Sequence, residues 1–247
     1  MKVFIGHPGA FGDIIVCAPI AQEYAERGYE VYWPVGVEHL SLVEKFPYVT
    51  PIPLPNIKLV SHELENEAVY SSRILMGQDL ARQMGAEYLH LGDRFVDGRS
   101  MFPTPNMDGE TTEEKKYRMA GVDFSRKYRL EWGRDKEKEN RLYELVVDSD
   151  NYVFCHLNQS DGNRGKLLEE ESRSIVECVP IEGYSILDWY KVIINAKAIY
   201  CIESSLQAFV DGIQAHTTSE RYILPISAGK HTTNHKMSSL YWKKKYI

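Results

Sequence analysis

Short runs of β-branched and aromatic residues alternate along this chain with segments of helical period, and the alternation starts, breaks off and starts again. In the first series, "KVFIG" reads as a strand, and "DIIVCAPIAQEYAERG" carries apolar residues at helical spacing until Gly28 stops it. "EVYWPV" is a second strand, "EHLSLVEKF" a short helix ending before Pro47, "SSRILMGQDLARQMG" a helix and "AEYLHLG" a further strand. "VTPIPLP" holds too much proline for a central strand and belongs at an edge or in a connection. Residues 97–109 read as loop. "TTEEKKYRMAG" is a helix whose acids precede its bases, matching the macrodipole, and "VDFSRKYRLEWGRD" reads as a linker.

After that break, "KEKENRLYELV" is a helix, "NYVFCHLN" a strand and "QSDGNRGK" a polar loop. "ESRSIVECVPIEGYS" reads as a helix running into a strand, "ILDWYKVIINAK" as an amphipathic helix, "AIYCIESS" as a strand, "LQAFVDGIQAH" as a helix and "ERYILPIS" as the last strand. Two such series predict an α/β protein of two Rossmann-like halves with mostly parallel sheets, residues 1–134 with the linker and residues 135–247. Ligands of such sheets bind at the carboxyl ends of the strands, at the switch point of the strand order or between the halves. Three loops are placed for that role: Gly6 to Asp13, Asn158 to Lys166, and Glu203 to Ser205.

Composition narrows the classes. With 247 residues, 43% of them hydrophobic and 26% charged, the chain reads as a soluble globular protein. Cys17, Cys155, Cys178 and Cys201 lie far apart in apolar runs without a CxxC pair, so neither a disulfide framework nor a zinc site is expected. "MKVFIGHPG" is broken too early for a signal peptide and no apolar stretch reaches membrane-spanning length, which points to the cytoplasm. A net charge of -6 argues against a surface given over to nucleic acid. Residues 230–247 nevertheless concentrate Lys230, Lys236, Lys243, Lys244 and Lys245 without an acid; a solvated terminal helix or tail and an anionic partner both stay open. His231 and His235 have i,i+4 spacing without the acid of HExxH, so no metal is expected there. Trp33, Trp132, Trp189 and Trp242 read mostly as packing residues.

Glycines 6, 9 and 12 spell GxxGxxG, not the GxGxxG of dinucleotide binding, and the second strand ends in "WPVG" where a ribose-binding acid would stand. A dehydrogenase is therefore disfavoured. Asp13 follows this loop at the head of a helix, and two roles stay open: a helix N-cap, or a carboxylate at a cleft rim acting as a general base. His7 beside the loop has the same ambiguity between packing and ligand contact.

"GAFGDIIVCAPIAQEYAERGYEVYWPV" resembles the start of the heptosyltransferase-like family of GT-B glycosyltransferases (glycosyltransferase family 9), in which a Gly-Asp precedes an apolar run, a proline and a helix. "ILDWYKVIINAKAIYCIESSLQAFVDGI" is similar to the family's donor-site segment, with Glu203-Ser204-Ser205 where the family has Asp-Ser/Thr-Gly and Ala208 in place of its histidine. The resemblance implies a GT-B-like fold whose halves face a central cleft, with a length closer to compact viral glycosyltransferases. It implies an inverting, metal-independent sugar transfer from a nucleotide-diphosphate sugar to a hydroxyl acceptor, with Asp13 as the base and no cofactor beyond the nucleotide-sugar co-substrate. Donor contacts are expected from Gly12, Asn158, Ser160, Arg164, Lys166, Tyr184, Glu203, Ser204 and Ser205, with Pro180 and Ile181 near the nucleotide's base, and acceptor-side contacts from His7 and Gly9. The acceptor is a glycan or similar, with a modified base in DNA as an alternative carried by the basic C-terminus. The altered Glu203-Ser204-Ser205 turn motivates a further alternative, an inactive nucleotide-sugar-binding or scaffold protein.

Overall fold

A computed structural model describes residues 1–7, 11–55, 62–91, 95–96, 99–100, 110–158, 164, 173–224 and 242–244. The chain divides into two units, Met1–Gly133 and Arg134–Ile247, each built on its own parallel sheet.

In the first unit, β1 (Lys2–Gly6), α1 (Phe11–Glu26), β2 (Glu30–Gly36), α2 (Leu40–Val43), β3 (Thr50–Leu54), α3 (His62–Gln83) and β4 (Glu87–His90) form a parallel sheet of order β3-β2-β1-β4. Val3, Phe4 and Ile5 of β1 and Val31, Trp33 and Val35 of β2 are buried on consecutive or alternate positions, as expected when helices cover both faces of a sheet. Pro51 and Pro53 sit on the edge strand β3, opposite Trp33 and Val35, where a missing N–H costs least. The chain winds outward from β1 to β3 and then crosses to the other side of β1 for β4, so the switch point lies between the carboxyl ends of β1 and β4.

Two features differ from the sequence expectations in this unit. Within the expected loop, β6 (Arg99–Ser100) pairs antiparallel with β5 (Phe95–Val96). After α4 (Thr112–Met119), the expected linker is packed onto the unit: Phe124–Tyr128 forms a 3-10 turn, Arg126 pairs with Glu23 and Glu26 of α1, and the Gly133 amide donates to the Lys45 carbonyl. The Arg126 guanidinium is one of the groups that tie this stretch down.

The second unit contains α5 (Lys136–Val146), β7 (Tyr152–His156), β8 (Ser174–Glu177), α6 (Tyr190–Asn195), β9 (Ala198–Cys201), α7 (Ser205–Gly212), β10 (Glu220–Ile223) and β11 (Lys243–Lys244). Its sheet is parallel, of order β11-β10-β9-β7-β8, and the switch point falls between β7 and β9. In "ESRSIVECVPIEGYS", Ser174–Glu177 is a strand where a helix was expected, because Ile175 and Val176 pair in register with Val153 and Phe154. The described part of the basic end is not a solvated tail: Trp242 is buried, β11 extends the sheet, and Lys243 Nζ pairs with Glu220 Oε1 at 2.5 Å. Lys230, Lys236, Lys245, His231 and His235 lie outside the described residues. Among the described residues, no helix is long and apolar enough to cross a membrane.

All four cysteines are free thiols. Burial pushes Cys17 and Cys178 up to about 12 and Cys201 well above its usual range. Cys17 and Cys201 should therefore stay unmodified by iodoacetamide at pH 8 in the native protein and react on denaturation, as read by mass spectrometry of the labelled chain. Native labelling of either would contradict this packing.

Candidate functional site

At the switch point of the first unit, Gly6 pairs with His90 of β4, and a Cβ on Gly6 would meet the Leu89 carbonyl and the Tyr88 ring at 2.7 Å. This glycine is needed for strand packing. The chain then passes through His7, whose carbonyl accepts from Trp33 Nε1 at 2.8 Å, and enters α1 at Phe11. Asp13 is the third residue of α1, inside its first turn, and so is not the N-cap. The partial positive charge of the helix start favours its carboxylate there.

The side chains around Asp13 come from two further elements. α4 begins at a capping box, with the Glu114 amide donating to Thr111 Oγ1 and the Thr111 amide donating to Glu114 Oε2. Tyr117 Oη donates to the Val16 carbonyl at 2.9 Å and Tyr24 Oη to the Ala120 carbonyl at 3.0 Å, fixing α4 along α1. That docking brings Lys116 Nζ onto Asp13 Oδ1. Asp13 Oδ2 lies 3.7 Å from His7 Nε2. The Lys116 and His7 side chains are each 2% exposed and Asp13 is 37% exposed, so a buried cation and a buried imidazole flank a carboxylate that reaches water.

Next to this group, the Phe11 ring meets His39 edge-on, and Arg73 of α3 holds Glu38 through two hydrogen bonds of 2.5 and 2.9 Å. Arg73 keeps Glu38 below the usual carboxylate range against the opposing effect of burial, and burial lowers His39.

In the second unit, β7 and β9 end side by side, with His156 in register with Cys201. The chain leaves β9 through Ile202 and Glu203, and Ser204 caps α7 in an extended conformation, its Oγ accepting from the Gln207 amide at 3.4 Å. The same Oγ lies 3.0 Å from His156 Nδ1 and 3.2 Å from the Ile202 carbonyl. A hydroxyl has one proton; when Ser204 gives it to Ile202, His156 donates from Nδ1 and all three contacts are satisfied together. Burial holds His156 below its usual range, opposed by Glu177. Ser204→Ala should cost about 1 kcal/mol through the lost cap, measurable by urea denaturation; an unchanged midpoint would show that α7 starts without it.

The loop expected to meet phosphates closes through a bridge between Asn158 and Arg164. Arg164 forms two hydrogen bonds of 2.7 Å with Glu177, and Asn158 both accepts from Arg164 at 2.7 Å and donates to Glu177 at 3.1 Å. Arg164 is thus already neutralised by an acid from β8 that sequence spacing did not single out. Lys138 Nζ lies over the Tyr184 ring at 5.6 Å. Gly12 lies in the first turn of α1, Glu203 is exposed before the cap and Ser205 begins α7. Gly9, Ser160 and Lys166 lie outside the described residues. Sequence reasoning missed Lys116, Glu177 and His156. Only His156 left a signal, as the polar residue closing an apolar strand run.

No protein-family model matches the sequence, and no curated protein matches it significantly. Solved structures do match the fold. A glycosyl transferase family 9 protein from Veillonella parvula is 10% identical, with 90% of this chain and 79% of that chain covered at a TM-score of 0.52. The E. coli ADP-heptose lps heptosyltransferase II is 12% identical, with 100% and 91% covered at a TM-score of 0.52. The E. coli heptosyltransferase WaaC, solved with ADP, is 13% identical, with 90% and 86% covered at a TM-score of 0.50. The chain therefore has the α/β fold of heptosyltransferase-like GT-B proteins.

Proposed function

We propose that the protein is a glycosyltransferase that moves a sugar from a nucleotide-diphosphate sugar to a hydroxyl acceptor. The observation that carries this reading is the partly exposed carboxylate of Asp13, held against Lys116 at the switch point of the first sheet, in a fold shared with proteins described as heptosyltransferases. In the proposed step, the acceptor oxygen attacks the anomeric carbon as Asp13 takes its proton, and the bond from that carbon to the diphosphate oxygen breaks. The nucleoside diphosphate leaves with the bonding pair, and attack from the opposite face inverts the anomeric centre. The first unit is assigned to the acceptor and the second to the donor, with its diphosphate at the start of α7 beside Ser204 and His156. Arg164 joins them by exchanging Glu177 for phosphate. The step is assigned no metal and no cofactor beyond the donor.

A panel of UDP-, GDP- and ADP-sugars, each with and without glycan acceptors, tests the reading through release of nucleoside diphosphate. One nucleotide class should give release that rises with acceptor. Thermal stabilisation by a donor without any release would overturn the transfer reading in favour of a nucleotide-sugar-binding protein, to which the substitution of Glu203-Ser204-Ser205 for the family's turn lends support.

A further inference from the structure

Lys116 is among the most deeply buried charged residues of the chain, and the proposed proton transfer does not by itself need it. A buried ammonium is costly unless a counter-charge meets it, and a pair of apolar side chains would fill the α1–α4 contact as well or better. The fold nonetheless devotes several features to delivering this cation. The capping box sets where α4 begins, the Tyr117–Val16 bond sets its rotation against α1, and the Lys116 stem runs through the packed contact to Asp13 Oδ1.

Resting on the reading of Asp13 as the base, we infer that Lys116 is its positioning residue. It fixes Oδ1, keeps the carboxylate ionised and turns the edge carrying Oδ2 toward the acceptor. Among the described residues, the charged and titratable groups around Asp13 include Lys116 and Glu113 from α4, His7 after β1 and Cys17 one turn further along α1. Glu113 is paired with Lys127 at 2.5 Å, so the charge that α4 brings to Asp13 is that of Lys116. A neighbouring cation favours the ionised carboxylate, so loss of Lys116 raises the pH at which Asp13 takes up a proton. The acid limb of the rate profile moves up with it.

The experiment compares Lys116→Met and Lys116→Arg with the parent in the full chain. The Asp13 carboxyl is followed by carbon NMR, assigned through Asp13→Asn, and turnover is measured against pH. In Lys116→Met the midpoint should rise by about one pH unit or more, and kcat on the acid limb of the profile should fall about tenfold while the donor KM stays within a few-fold. Lys116→Arg, which keeps the charge, should hold the midpoint and recover most of kcat; if the Met variant does not fold, a displaced midpoint in a folded Arg variant overturns the inference. Turnover lost in Asp13→Asn but unmoved in Lys116→Met, with an unmoved midpoint, would overturn the positioning role alone. Turnover untouched by Asp13→Asn would overturn the base reading, and the positioning role with it.

Discussion

Asp13→Asn should lower kcat by about 10²- to 10⁴-fold, the range a positioned general base contributes. The substitution keeps the size of the side chain and one acceptor oxygen but removes its ability to take a proton. It also leaves the Lys116 ammonium, 2% exposed, without its counter-charge. Stability should therefore drop by about 1–3 kcal/mol, less than for a fully buried pair because the carboxylate is partly in water. Turnover must be compared well below both melting transitions, with circular dichroism confirming the fold. If the folded variant turns over within a few-fold of the parent, Asp13 is not the base.

The largest stability effect is expected in the second unit, at Asp211. This fully buried residue of α7 accepts from Gln207 Nε2 and from Trp242 Nε1, both at 2.6 Å. Through Trp242 it holds the segment that leads into β11. Asp211→Ala strands both donors in a dry environment and should cost about 3 kcal/mol or more, with a fall in Tm on the order of 10 °C. Asp211→Asn keeps one acceptor oxygen but turns an amide donor toward the other partner, so its loss should be smaller yet clear. Trp242→Phe, which deletes the indole N–H with modest loss of volume, should cost less than Asp211→Ala. Denaturation midpoints that place Asp211→Ala within about 0.5 kcal/mol of the parent, the size of a surface change, would mean that this network does not anchor the edge of the sheet.

Much of the architecture was legible because parallel strands buried on both faces are continuous apolar runs. Val3 to Ile5, Val153 to Cys155 and Ala198 to Cys201 advertise themselves in this way, and the helices between them carry the matching period. Pro51 and Pro53 restricted their segment to an edge or a connection for the same kind of local reason, and pairing with β2 made it the edge strand β3. Where the expectations failed, the cause was a partner distant in sequence. Ile175 and Val176 became a strand because β7 was beside them, Arg126 found its counterparts on α1 and Lys127 found its counterpart on α4.

The candidate site divides along the same line. The sequence by itself determined that a carboxylate, Asp13, would stand at the start of a helix after a glycine loop, and that Ser204 would stand near the start of another, because caps, loops and periodicity are written in neighbouring residues. Tertiary structure alone decided what those groups touch. Lys116 reaches Asp13 across 103 positions and His156 reaches Ser204 across 48, contacts that exist only once helices dock and strands pair. The buried ammonium that meets the carboxylate of this helix-start aspartate comes from that docking, since a charge acts through space and not along the chain.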